Sequence, residues 1–214
     1  MQAIDEAAIT ALGIPRLLLM DHAGLAVART VQHVLPTPSP VLVCSGAGFN
    51  GGEGLAAARH LRQWGYPVTV VLAGRYDRLR EEPAVFAAIL KRLEVPVQEC
   101  AGIEEVAAAE RTLAASRIVI DALLGIGARG MVREPLTSLI AAMNRSGKPI
   151  VSADLPSGLD GDTGAVQGIA VRATATVAFG LAKRGCWLGE GPAHTGTLIV
   201  DAITIPTGLL HPDA

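Results

Sequence analysis

The sequence predicts an α/β fold: a doubly wound, mainly parallel sheet with helices on both faces and a helical extension at its N-terminus. Three observations carry this. Short β-branched apolar runs alternate with helical patterns from residue 41 onward, and such alternation implies right-handed βαβ crossovers. Half of the 214 residues are apolar and only 3% are aromatic, which suits alanine-, valine- and leucine-rich helices stacked on a buried sheet. The stretch Val41 to Arg59, VLVCSGAGFNGGEGLAAAR, reads as strand, glycine-rich turn and helix start in direct succession. Together they describe a Rossmann-like single domain over residues 1–214, with N-terminal helices in 1–35 and the sheet core in 41–206.

Residues 2–12 and 15–35 read as two helices because Gly13-Ile14-Pro15 supplies a helix-ending glycine and a helix-starting proline. Asp5, Glu6, Asp21 and His22, in this preface, read as ordinary helix-surface or cap residues. After the proline-rich linker 36–40, strands are expected near 41–45, 67–73, 95–99, 117–121 and 149–153, with helices at 53–64, 81–93, 103–115 and 134–146. Two further β-type runs, Thr174–Phe179 and Thr197–Asp201, extend the sheet at one edge.

A net charge of -2 leaves no electrostatic footprint for nonspecific nucleic-acid or acidic-membrane binding. No apolar run reaches bilayer-spanning length, and the acidic opening MQAIDEAAIT lacks the basic start of a secretory signal, so a cytoplasmic home is expected. Cys44, Cys100 and Cys186 are scattered without metal-ligand spacing and read as buried reduced thiols.

Open parallel sheets bind ligands beyond the carboxyl ends of their strands. Distant segments deliver polar groups to that rim: Asn50 and Glu53 after the first strand, Asp121 closing IVIDALLG, Asp154 and Ser157 in IVSADLPSG, and Lys183 after TVAFG. Gly46-Ala47-Gly48-Phe49-Asn50-Gly51 satisfies GxGxxG, and the helix that follows favours phosphate through its free amides and dipole. An ordinary NAD dehydrogenase would carry an acid at the end of the second strand, where Val71-Leu72-Ala73-Gly74-Arg75 has none; Arg75 leaves a 2′-phosphate open. The GK[ST] ending of a P-loop is missing too. Close packing of strand on helix accounts for one or two of Gly46, Gly48, Gly51, Gly52 and Gly54 better than for all five.

SGAGFNGGEGLAAARHL, DALLGIGARG, SADLPSGLDGDTG and TVAFGLAKRG, in this order, resemble the four signature stretches of the YjeF N-terminal domain, the NAD(P)HX epimerase family. MQAIDEAAITALGIPRLLLMDHAG resembles that family's opening helices and GPAHTGTLIVDAITIP its closing strand, so the resemblance spans nearly the whole chain. It implies a Rossmann-like homodimer that interconverts the R and S forms of hydrated NADH and NADPH with potassium in the site. On the matching positions, Asn50, Asp121 and Ser157 would ligate potassium. Substrate would be held by Phe49, Asn50, Gly51, Gly52 and Glu53, by Gly125, Ile126, Gly127, Ala128, Arg129, Gly130 and Met131, and by Asp154. The family commonly writes GNNGGDG where this chain has Phe49 for an amide and Glu53 for an aspartate, and His22 stands where it usually has asparagine. With no fused domain expected after Ile205-Pro206, a separate ADP- or ATP-dependent dehydratase is the expected functional partner.

The residues themselves agree with that chemistry. One carboxylate with amide, hydroxyl and backbone oxygens makes a hard, weakly charged site suited to a monovalent cation, not to zinc; Asp121 as a turn cap and Asn50 as a pin for the glycine loop is the structural alternative. Epimerisation needs a group that gives a proton to a departing hydroxyl and takes one from returning water, and Asp154 with Lys183 beside it is the candidate. SGLDGDTG reads as a tight loop; it lacks the distal glutamate of a calcium loop, and Ser157 lies outside any GxSxG. Two other readings stand beside the epimerase: a noncatalytic dimerisation or RNA-associated module, against which Asn50, Asp121 and Asp154 and the lack of an aromatic stacking stripe count, and a related enzyme whose pocket, altered at Phe49 and Glu53, takes another nucleotide.

Overall fold

The computed structural model describes residues 2–210. Two helices, α1 (Gln2–Thr10) and α2 (Arg16–Val34), precede an alternating core. The core runs β1 (Val41–Ser45), α3 (Phe49–Gln63), β2 (Val68–Leu72), α4 (Glu81–Arg92), β3 (Val97–Glu99), α5 (Val106–Ala115), β4 (Ile118–Ala122), α6 (Leu136–Arg145), β5 (Ile150–Ala153) and β6 (Ala175–Phe179). Two short helices, α7 (Gly191–Thr195) and α8 (Thr207–Leu210), flank the last strand, β7 (Thr197–Asp201).

The seven strands lie in the order β3-β2-β1-β4-β5-β6-β7, and every neighbouring pair is parallel. This is the Rossmann-like sheet that the alternation predicts, with β6 and β7 added at one edge. Strand side chains alternate between faces, and burial on both faces explains the apolar runs of the central strands β1, β2, β4 and β5, whereas the edge strands β3 and β7 are only partly covered. Val41, Val43, Val70, Ile120 and Val151 meet Val27, Leu55, Leu61, Phe86 and Leu90 from α2, α3 and α4. Leu42, Val71, Val119 and Ile150 meet Val106, Leu113, Leu139 and Met143 from α5 and α6.

The third helix differs from expectation. It begins at Phe49 rather than at 53, so Asn50, Gly51 and Gly52 form its first turn instead of a loop. The cause is packing. A Cβ on Gly51 would lie 1.9 Å from the Gly46 carbonyl oxygen, one on Gly52 2.5 Å from Met20 Sδ, one on Gly54 2.5 Å from Ala122 Cβ, and one on Gly46 2.1 Å from the Leu123 oxygen. Close approach therefore accounts for four of the five glycines, more than the sequence reading allowed, and Gly48 alone faces open space. The helix expected over 103–115 opens as a 3₁₀ turn, Ile103–Glu105, in which the Gly102 amide donates to Glu105 Oε2 at 2.8 Å, before α5 proper.

Between β1 and β4 the strand order reverses, and Ser45 pairs in register with Ala122 at the carboxyl ends. A crevice opens there by topology alone. The chain then leaves β5 through Asp154 at φ +66, a conformation rare for a residue other than glycine.

Candidate active site

A cleft of about 590 Å³ occupies this crevice. The turn after β1 and the first turn of α3 wall one side, the segment after β4 the other, and α1 and the start of α2 close the rim.

At the end of β4, Asp121 is fully buried and both of its oxygens are engaged. Oδ2 accepts from Ser152 Oγ at 2.8 Å and from the Ser157 amide at 2.9 Å, and Oδ1 accepts from Ser157 Oγ at 2.5 Å. Burial pushes its pKa above the ordinary value, and the bonds from Ser157 and Ser152 oppose that shift without cancelling it. Ser157 Oγ accepts in turn from the Leu124 amide at 2.9 Å, while Asn50 Nδ2 donates to the Leu124 carbonyl at 3.0 Å. Of the three residues expected to hold a cation, Asn50 and Ser157 thus meet at the backbone of Leu124, and Asp121 joins them through Ser157.

Asn50 Oδ1 is buried with no hydrogen-bond partner among the described residues. A buried carbonyl-type oxygen without a donor costs about 1–3 kcal/mol, so a water, an ion or a ligand atom placed here would complete its bonding. An amide and a hydroxyl oxygen backed by one buried carboxylate fit a hard monovalent cation.

Asp154 and Lys183 form a buried ion pair, 7% and 8% exposed. Asp154 Oδ1 accepts from Lys183 Nζ and from the Phe179 amide at 3.1 Å, and Lys183 Nζ also donates to the Phe179 carbonyl at 2.9 Å. No hydrogen bond reaches Asp154 Oδ2 among the described residues. The carboxylate lines the cleft. Its arrangement, one oxygen anchored to a cation and the other open, is suited to exchanging a proton with a ligand.

Two more carboxylates share that field. Burial pushes the Glu53 carboxyl well above the ordinary carboxylate range, with the Asp154 charge adding and the Lys183 charge opposing. Burial likewise raises Asp5, Lys183 pulls it back, and Asp154 pushes it further. Since the ionised Glu53 is the disfavoured form, the folded chain holds its proton to higher pH than the unfolded chain, whose carboxyl titrates near 4.5. Stability is therefore greatest below that value and falls as pH rises through the elevated folded value. Glu53→Gln removes this dependence, so urea midpoints taken at about pH 5 to 8 should show the variant gaining on the parent as pH rises. Parallel curves for the two proteins would count against a raised Glu53.

The structure brings Phe49, Asn50, Glu53, Gly125, Ile126, Gly127, Ala128 and Asp154 to the cleft wall. It places the remaining expected contacts elsewhere. Gly51 and Gly52 turn their Cα hydrogens toward Gly46 and Met20, so their space is filled by protein. The expected 125–131 lining divides: Arg129 faces an adjoining cavity of about 400 Å³ with Lys183 and Arg184, while Gly130 turns at φ +77 and Met131, 69% exposed, reaches Gly168. Asp121 and Ser157 stand behind the wall rather than in it. Asp5 and Glu6, which read as surface residues, line the cleft, as does Arg16. Nothing local signals this, because it depends on where α1 and α2 dock. Asp21 instead pairs with Arg59 at 2.6 Å. In the tight loop, Asp160 Oδ1 accepts from the Thr163 and Asp162 amides at 2.9 and 3.1 Å, which holds its pKa below the ordinary value. Among the described residues, no group of three His, Cys, Asp or Glu side chains is placed to hold a metal, and Cys44, Cys100 and Cys186 are buried free thiols.

A ligand cleft at the switch point of an all-parallel sheet, with an anchored carboxylate facing into it, defines a Rossmann-like α/β domain built to bind and act on a small molecule. Comparison with known proteins narrows this. The chain belongs to the family described as YjeF-related protein N-terminus, which matches residues 16–185. It is 43% identical over 197 residues to a bifunctional NAD(P)H-hydrate repair enzyme of Pyrobaculum aerophilum, covering 91% of this chain and 39% of that protein. It is 36% identical over 200 residues to an NAD(P)H-hydrate epimerase of Limosilactobacillus fermentum, covering 94% of this chain and 92% of that one. The chain thus spans about two fifths of the length of the bifunctional relatives it matches. In three dimensions it resembles the crystal structure of yeast YNL200c, with TM-score 0.83 and 27% identity, over 96% of this chain and 87% of that one.

Proposed function

We propose that the chain is an NAD(P)H-hydrate epimerase, interconverting the R and S forms of hydrated NADH and NADPH. The observation that carries the reading is Asp154: buried, pointing into the switch-point cleft, with one oxygen tied to Lys183 and Phe179 and the other open. Near-full-length similarity to a protein named for this activity supports it.

The hydrated ring carries a hydroxyl on the carbon beside the ring nitrogen. When that C–O bond breaks, the nitrogen lone pair moves in to form a C=N⁺ bond and the hydroxyl departs as water after taking a proton. Water then adds to the other face and gives a proton up, so the sequence balances with no net change. In this chain the proton leaves from and returns to the Asp154–Lys183 pair, which the Phe179 amide and carbonyl hold in place. Burial of the pair excludes bulk water that would compete for the proton.

Potassium suits the neighbouring oxygen set, with Asn50 Oδ1 and Ser157 Oγ as ligands and Asp121 as their charged support. When bound, it supplies a fixed positive charge for the substrate's oxygens. Asn50→Ala should therefore flatten both the dependence of rate on KCl, at ionic strength balanced with a large organic cation, and the rise in melting temperature that KCl gives the parent. An unaltered potassium titration would remove Asn50 from the site. The same reading carries a cytoplasmic homodimer and a companion ADP- or ATP-dependent dehydratase that consumes one of the two epimers.

The direct test starts from purified R-form hydrated NADH and follows the S form by chromatography, against an enzyme-free control for spontaneous exchange. A rate no faster than that control, with or without potassium, would sink the proposal.

A further inference from the structure

The lining of the main cleft is electrically lopsided. Among the described residues it contains four acidic side chains, Asp5, Glu6, Glu53 and Asp154, and a single basic one, Arg16. A hydrated dinucleotide carries a pyrophosphate with two negative charges, for which these acidic side chains, with Glu53 held protonated by its burial and Asp154 already paired to Lys183, offer no counter-charge. The one basic side chain of the described lining stands at one place on the rim.

That place is built from two elements. The first turn of α3, a helix of 15 residues, starts at Gly48 with no side chain capping its amides, and nothing lies within 4 Å of where a Gly48 Cβ would be. Helix N-termini left open in this way favour phosphate. Over this turn, the Arg16 guanidinium carbon sits 4.9 Å from the centroid of the Phe49 ring, within the range of a cation–π contact. Arg16 is the first residue of α2 and Phe49 the first of α3, so the stack bridges two helix starts. Among the described residues the one ion-pair contact of Arg16 is with Glu81, whose Oε2 is 4.0 Å away and whose side chain is 62% exposed, a contact that water screens, and the Arg16 charge also acts on Asp5.

We infer that Arg16, in cation–π contact with the Phe49 ring, is the pyrophosphate-binding residue of this cleft, acting together with the open amides at the start of α3. The inference rests on the nucleotide reading of the cleft. It also gives the ring a purpose. An amide side chain at position 49 would offer a hydrogen bond to substrate, whereas phenylalanine offers a face that restrains a guanidinium before the ligand arrives. Phe49 is then a positioning residue for Arg16, and Arg16 supplies the counter-charge that the rest of the described lining lacks.

The test uses ADP-ribose, which has the pyrophosphate but lacks the reactive ring, in calorimetric titrations of the parent, Arg16→Ala, Arg16→Lys and Phe49→Leu. Arg16 is 41% exposed, so its replacement should leave the melting temperature near that of the parent. Loss of a charge-assisted phosphate contact is expected to weaken ADP-ribose binding roughly tenfold or more in Arg16→Ala, with lysine restoring only part of it. Phe49→Leu should weaken binding by a smaller factor and remove most of the advantage of arginine over lysine at position 16. In the epimerase assay, Arg16→Ala should raise KM equally for hydrated NADH and hydrated NADPH and leave kcat unchanged. Parent-like affinity in Arg16→Ala overturns the inference, as does a parent that does not bind ADP-ribose at millimolar concentration. A loss seen only with 2′-phospho-ADP-ribose would overturn the pyrophosphate assignment in favour of the 2′-phosphate. Arginine-dependent ADP-ribose binding without epimerase activity would leave this inference standing and the epimerase reading fallen; activity without dependence on Arg16 would do the reverse.

Discussion

Asp154→Asn is expected to slow interconversion of the two epimers by about a hundredfold to ten-thousandfold, the usual worth of a positioned acid–base group, while leaving the fold in place. The backbone tolerates the change, because asparagine is among the few residues at ease near the φ of +66 that this position adopts. Its carbonyl oxygen can still accept from the Phe179 amide, and Lys183 keeps the Phe179 carbonyl at 2.9 Å. What the amide cannot do is take up and return a proton. Lys183 loses its counter-charge, so a fall in stability of about 1–3 kcal/mol accompanies the loss of rate. A merely structural role for Asp154 would show that stability loss with turnover within a few-fold of the parent. The chromatographic assay, read above the spontaneous rate, separates the two outcomes.

Gly51→Ala should have the largest effect on stability, and the effect runs opposite to helix propensity. Alanine in an ordinary helix is worth about 1 kcal/mol more than glycine. Here its Cβ would lie 1.9 Å from the Gly46 carbonyl oxygen, 2.6 Å from that carbonyl carbon and 2.9 Å from Ser45 Oγ. The obstacle is backbone, and it is pinned: Ser45 Oγ donates toward both the Gly46 and Gly51 carbonyls at 3.0 Å, closing the turn on itself. Relief requires α3 to back away from the end of β1, so a net loss of about 2–4 kcal/mol is expected in urea denaturation. Gly48→Ala is the internal control, because open space surrounds that position and its φ of -92 suits any residue. Equal stability of Gly51→Ala and Gly48→Ala would show that close packing does not explain the glycines of this turn.

Those glycines also mark where sequence reasoning stops. The strands were legible because apolar periodicity is local: the run 67–73 contains Val68–Leu72, and Thr197–Asp201 coincides with β7. Asp121, Asp154 and Ser157 could be placed at one rim because parallel topology sends strand carboxyl ends the same way. The purpose of Gly51 and Gly52 could not be read, since a phosphate-binding turn and a tight helix crossing demand the same absence of Cβ. Nor could Asp5, Glu6 and Arg16 be assigned to the cleft, because their role depends on how α1 and α2 dock across it. The stretch 125–131 was read as one surface, yet it turns away after Ala128, at Gly130 with its positive φ.

Leu124 connects the carboxamide of Asn50 and the hydroxyl of Ser157 through the two polar atoms of its own backbone, and Gly125 follows directly. Substitutions at position 124 other than proline, which would remove the amide donor, leave both bonding atoms in place, whereas a change in the path of the chain between 123 and 126 displaces both contacts at once.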